Sequence, residues 1–128
     1  MSTLEAERGE VNGSLHNPLD VERKIRETSN RIAAGVKIVT AAEREMKAKK
    51  RAFDLAYAYA YKKAEGSIKD REYSADIEAM PHREEADNAE IAYKHAGRTA
   101  DALEKELFAW QAILKSVVAM FGAAGVRS

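Results

Sequence analysis

Apolar residues recur at alternating steps of three and four from Ala86 to Phe121. The series is Ala86, Ala89, Tyr93, Ala96, Ala100, Leu103, Leu107, Trp110, Leu114, Val117 and Phe121. A helix with this 3.5-residue repeat must lay its stripe against another helix. A second series occupies the first half: Ile25, Ile32, Val39, Met46, Phe53 and Ala60, with Thr28, Gly35, Ala42, Lys49 and Ala56 between them and Val36 widening the stripe. It is the weaker seam, since small and polar residues fill its intermediate positions.

Punctuation sets the element ends. Asn17 suits the N-cap of a first helix, Pro18 its first turn, and Asp20 the end where the helix dipole favours an anion. That helix is predicted from about 18 to 65, a span of roughly 70 Å at 1.5 Å per residue. Gly66-Ser67 ends it, with Lys62 and Lys63 in the last turn. Ser67 then caps a short helical connector through Ala79. Met80-Pro81 marks a further break, because proline disfavours helical geometry at the residue before it. A third helix follows over about 82–121. The alternating run Leu55-Ala-Tyr-Ala-Tyr-Ala-Tyr61 is read as helix, since alanine is a strong helix former and no turn precedes it. Residues 1–16 read as a flexible acidic arm and 122–128 as a loose tail. The predicted fold is all-α: one domain over 17–121, a long antiparallel hairpin with a short helical connector, coiled-coil-like packing, and self-association into an oligomer.

Composition sharpens this picture. Apolar residues make up 45% of the 128, but alanine supplies much of that and aromatics only 7%, so a solitary core is thin and burial between copies is its natural supplement. Extra apolar side chains off the second seam, Phe108 and Ile113, widen it beyond what one helix covers. The expected self-association surface is Leu103, Leu107, Phe108, Trp110, Ile113, Leu114, Val117 and Phe121. No cysteine is present, which removes thiolate chemistry, and no apolar run is long enough to span a bilayer. The first residues lack the basic start and apolar run of a signal peptide, so a cytoplasmic setting is expected, that of the host cell if the gene is a phage's.

Net charge is zero overall but uneven: residues 22–65 carry +6 and residues 66–91 carry −5. Within the basic stretch, Arg44, Lys47, Lys49, Lys50 and Arg51 precede Tyr57, Tyr59, Tyr61, Lys62 and Lys63. Cations that track phosphates, with rings on which bases stack, are the chemistry of sequence-tolerant single-strand binding. The competing reading is a solvated helix face with tyrosines packed on the neighbouring helix. His16, His82 and His95 are scattered and fit no metal-ligand spacing, and Glu84, Glu85, Asp87 and Glu90 sit where a helix start favours acids. No nucleophile is paired with a base. Neither an enzyme, a metal nor another cofactor is expected.

The arrangement resembles the UvsY-like phage recombination mediators. The likeness lies in the long first helix, the element Met46-Lys-Ala-Lys-Lys-Arg-Ala-Phe-Asp-Leu-Ala-Tyr57, the segment Tyr73-Ser-Ala-Asp76 after the connector, and the apolar last helix with Ile113-Leu-Lys-Ser116. Departures are a longer Ala-Tyr run, a more acidic middle and an end, 117–125, without a basic stretch. The resemblance implies a self-associating helical protein that binds single-stranded DNA and helps load a RecA-like recombinase onto strands coated by single-strand binding protein. It further implies that Lys47, Lys49, Lys50 and Arg51 neutralise phosphates, that Tyr57 or Tyr59 stacks on bases, and that the helix from Leu107 to Phe121 supports assembly. Two other readings stand beside it. One is a coiled-coil interaction or structural protein without DNA, such as a phage scaffold, a chaperone or an inhibitor of a host protein. The other is a basic helix lying on anionic membrane, disfavoured by the nearby acids and the weakly apolar Tyr-Ala face.

Overall fold

A computed structural model describes residues 17–127, so the arm expected over 1–16 lies outside the described residues. Two helices pack against each other as a hairpin: α1 over Pro18–Lys63 and α2 over Ile68–Arg127. No strand occurs among the described residues.

The start of α1 is capped as its sequence predicts. The Asp20 backbone N–H donates to Asn17 Oδ1 at 2.9 Å, and Asn17 Nδ2 donates to Asp20 Oδ2 at 2.7 Å. Asn17 thus satisfies a backbone N–H that the first helical turn leaves without a partner, and the Asp20 carboxylate holds the Asn17 amide in place. Gly66 reverses the chain with φ +107°, where a Cβ would come within 3.0 Å of Asp70 Oδ2. Ser67 and Asp70 cap α2 reciprocally: Asp70 N–H donates to Ser67 Oγ at 3.2 Å, and Ser67 N–H to Asp70 Oδ2 at 3.3 Å.

Two differences from the sequence expectation concern α2. Residues 67–79 do not form a separate connector; from Ile68 onward they are the first turns of one continuous helix that carries Pro81 inside it. Proline removes one backbone donor and crowds the carbonyl four residues earlier. Here Pro81 and Ile77 both lie on the exposed side, so the carbonyl that loses its donor is open to water. The opposite side carries Ala75, Ala79, Ala86 and Ala89, all buried, and this packing on both sides of the proline holds the helix through it. The second difference is at the far end, where α2 continues through Gly122 to Arg127 instead of stopping at Phe121.

The packed residues fall into two compact units, each containing a piece of both helices. Gly35–Ala100 form one, which includes the reversal at Gly66. Its buried side chains are all alanine: Ala60, Ala75, Ala79, Ala86 and Ala89. Around them Val39, Met46, Phe53 and Tyr93 are half-buried. Of the described residues, 17–34 with 101–127 form the other. There Val21, Thr28, Leu103 and Val117 are buried, and Ile25, Ile32, Leu107, Trp110 and Leu114 half-buried. The Thr28 hydroxyl donates to the Lys24 carbonyl at 2.8 Å, so its burial leaves no donor unmet.

Every position of the weaker seam is buried or half-buried, including Lys49. Val36 does not widen it; that side chain is exposed. On α2 the seam holds from Ala86 to Val117 and fails at Phe121, which is 57% exposed.

Candidate nucleic-acid interface

The basic segment of α1 is divided by the helix into two sets. One set faces α2 and meets its acids. Lys49 Nζ lies 3.2 Å from Glu85 Oε2 and 3.8 Å from Glu45 Oε1. Lys50 Nζ lies 3.3 Å from Glu90 Oε1, and Lys63 pairs with Glu78. Lys47 is paired along its own helix with Glu43 at 3.4 Å. Glu78, Glu85 and Glu90 lie inside the continuous α2, not at the helix start that the sequence suggests for Glu85 and Glu90, and are counter-charges to Lys63, Lys49 and Lys50. These cations are exposed or half-exposed, so solvent screens each pair and its contribution to stability is small.

The other set has no ion pair among the described residues: Lys37, Arg44, Arg51 and Lys62. Steps of seven, seven and eleven residues separate them, each close to a whole number of helical turns, so they form one row. The row lies opposite the seam, and all four side chains are exposed. At 1.5 Å per residue their spacings are about 10, 10 and 16 Å. Lys37 was not a sequence candidate. Its signal was available in the heptad step from Lys37 to Arg44 to Arg51, which only the known direction of the seam turns into an outward-facing column.

The tyrosines divide likewise. Phe53, Tyr57 and Tyr61 stack along one side of α1, with ring centroids 6.2 and 6.4 Å apart and the last two rings inclined by only 20°. Partial burial, reinforced by the negative charge of Asp76 and Glu72, holds the Tyr57 phenol above its ordinary pKa. Tyr57 and Tyr61 are thus half-buried neighbours of each other, not open platforms. Tyr59 points away from both, is 64% exposed, and stands beside the row of free cations. In a helix, the alternation Tyr57-Ala-Tyr59-Ala-Tyr61 separates the middle ring from the outer two.

One side-chain bond across the pair carries a pH signature. The Tyr93 hydroxyl bonds Glu43 and, together with Lys47, holds that carboxyl below its ordinary pKa; the same bond raises the Tyr93 phenol. Its stabilising contribution is full above the unfolded carboxylate value of about 4.3. It is lost as pH falls through the lowered Glu43 value. On the alkaline side it is lost as pH rises through the raised Tyr93 value, beyond about 10. Tyr93→Phe should therefore lower the melting temperature at neutral pH, with the gap to the parent closing in acid. A gap that stays constant across that range would remove Glu43 as the partner.

The surface expected for self-association is largely spent within the chain. Leu103 and Val117 are buried and Leu107, Trp110, Ile113 and Leu114 half-buried in their own unit, leaving Phe108 and Phe121 exposed. A shallow open depression lies beside Phe108, lined also by Gln111, Ala112, Leu114 and Lys115, with no acid, histidine or hydroxyl among them. No metal-sized cluster of His, Asp or Glu occurs among the described residues, and no described helix is long and apolar enough to cross a membrane. Comparison with protein-family models, characterised proteins and solved structures yields no match.

Proposed function

We propose that the protein binds single-stranded DNA, without an enzymatic activity of its own, through the outward face of α1. The observation that carries this reading is the row Lys37, Arg44, Arg51 and Lys62: four exposed cations with no acidic partner among the described residues, beside the exposed ring of Tyr59. Cations in a line meet successive phosphates, and a ring beside them offers a base a surface to stack on whatever its sequence. The internal pairing of the other lysines strengthens the reading, because the acids of α2 are then occupied rather than repelling a strand.

The likeness to phage recombination mediators supplies a use for such binding. Several copies holding one strand would present it to a RecA-like recombinase in competition with single-strand binding protein. Weak sites repeated on one strand reach high combined affinity. Titrating a fluorescent oligothymidylate at several salt concentrations tests the proposal. Four phosphate contacts give a slope of log K against log salt of about −3. A flat dependence, or no anisotropy change at low salt, rules it out.

A second reading has its own observation. Ile68, Tyr73, Ile77, Met80 and Ile91 of one unit, and Phe108, Met120 and Phe121 of the other, are all more than half exposed. A helical interaction or scaffold protein that acts by covering these residues, with no nucleic acid, uses them directly.

A further inference from the structure

Within the unit formed by 17–34 and 101–127, α2 outruns α1. Arg31 bonds Glu106 across the pair. Fourteen residues back along α1 from Arg31 stands Asn17, and fourteen forward along α2 from Glu106 stands Met120. The two helices rise equally per residue, so α1 begins level with Met120 while α2 continues to Arg127. Val117, just inside that level, is buried, whereas Val118, Met120 and Phe121 are 52%, 70% and 57% exposed. Phe121 holds a seam position, and Val118 and Met120 flank it on either side of the helix. A Cβ added at Gly122 meets nothing within 4 Å. These apolar side chains are on the side of α2 that α1 would cover if it were longer.

We infer that this end of α2 is covered by the chain's own residues 1–16, which lie outside the described residues, with Leu15 and Val11 laid on Phe121, Met120 and Val118. Position selects this occupant. The segment leads into Asn17 at the level where the cover given by α1 runs out, and Leu15 stands two residues before Asn17. Sixteen residues can span about 50 Å, while Val118 to Gly122 is only about 6 Å of helix, so the segment has length to spare. Charge agrees with position. Residues 1–16 carry Glu5, Glu7 and Glu10 against Arg8, and α2 from Leu107 to Gly122 carries Lys115 and no acid. The covalent link also favours this segment over a second copy, because a short tether acts as an effective concentration on the order of millimolar. The contact needs no strand binding. It closes the apolar end of the hairpin to other helices until the segment leaves it.

The chain has no cysteine, so single cysteines report cover directly. Met120→Cys in the full chain is treated with a soluble aromatic disulfide, and its rate is taken relative to the same variant unfolded in urea. That relative rate should be at least about fivefold lower than for Ala48→Cys, an exposed position of α1. Gly122→Cys removes no apolar side chain and should be protected alike. Adding Val11→Ser with Leu15→Ser should raise both reporters to the Ala48→Cys level. Neither added substitution lies in a helix, and circular dichroism should show helix content unchanged. Reporters as reactive as Ala48→Cys in the otherwise unaltered chain overturn the inference. So does protection that survives the two serines. Protection that rises with protein concentration assigns the cover to a second copy and equally overturns it.

Discussion

Replacing Lys37, Arg44, Arg51 and Lys62 together with alanine should weaken single-strand binding at least a hundredfold at low salt, with helix content unchanged. Four charge-assisted contacts at even the low end of about 1.5 kcal/mol each exceed the ~2.7 kcal/mol that a hundredfold loss represents. The same variant should lose most of its salt dependence, because the slope counts the phosphates neutralised. A companion variant separates the two faces of α1. Lys49→Ala with Lys50→Ala and Lys63→Ala removes three pairs to Glu85, Glu90 and Glu78, all on partly exposed side chains. It should lower the melting temperature slightly and leave binding within a few fold. If the companion loses binding while the fourfold variant keeps it, the strand lies on the side facing α2 and the outward row is incidental. Tyr59→Ala, read against Tyr57→Ala, then asks which ring stacks. Only the first ring stands open beside the row.

The inward side of each helix was legible in the sequence because the core is chosen by spacing alone. Ile25, Thr28, Ile32 and their successors each fall on the packed side, although all five intermediate positions are small or polar. Helix period settles which side of α1 is inward, whatever the quality of the side chains there. The division of the lysines was not read from the sequence, although the information was present. A chain that reverses at Gly66 carries the acidic stretch back along the basic one, and Lys49 then comes level with Glu85. Reading residues 22–65 and 66–91 as separate charge blocks hid the fact that each neutralises part of the other. The Ala-Tyr run is divided by helix geometry. Three tyrosines close in sequence suggest one aromatic surface, but a step of two residues turns a helix by about 200°, so Tyr59 cannot share a side with Tyr57 and Tyr61.

Pro81 is where local preference and tertiary packing disagree most, and it yields the largest stability change. Read locally, Met80-Pro81 ends a helix; in the hairpin, α2 passes straight through it. Proline inside a helix costs about 3 kcal/mol relative to alanine. The buried alanines on both sides of it, Ala79 at 0% and Ala86 at 6% exposure, keep the helix intact. Pro81→Ala should restore the backbone bond to Ile77 and relieve the crowding without touching a packed side chain, since residue 81 is exposed. The expected gain is about 2–3 kcal/mol, or about 10 °C in melting temperature for a domain of this size. Met80→Ala, which keeps the proline, is the control, and thermal unfolding followed by circular dichroism is the measurement. Strand binding should be unaltered, because all four outward cations are on α1. An unchanged or lower melting temperature would mean that the backbone geometry proline imposes is itself needed to seat Ala79 and Ala86. In that case the proline sets the path of α2 rather than being merely tolerated within it.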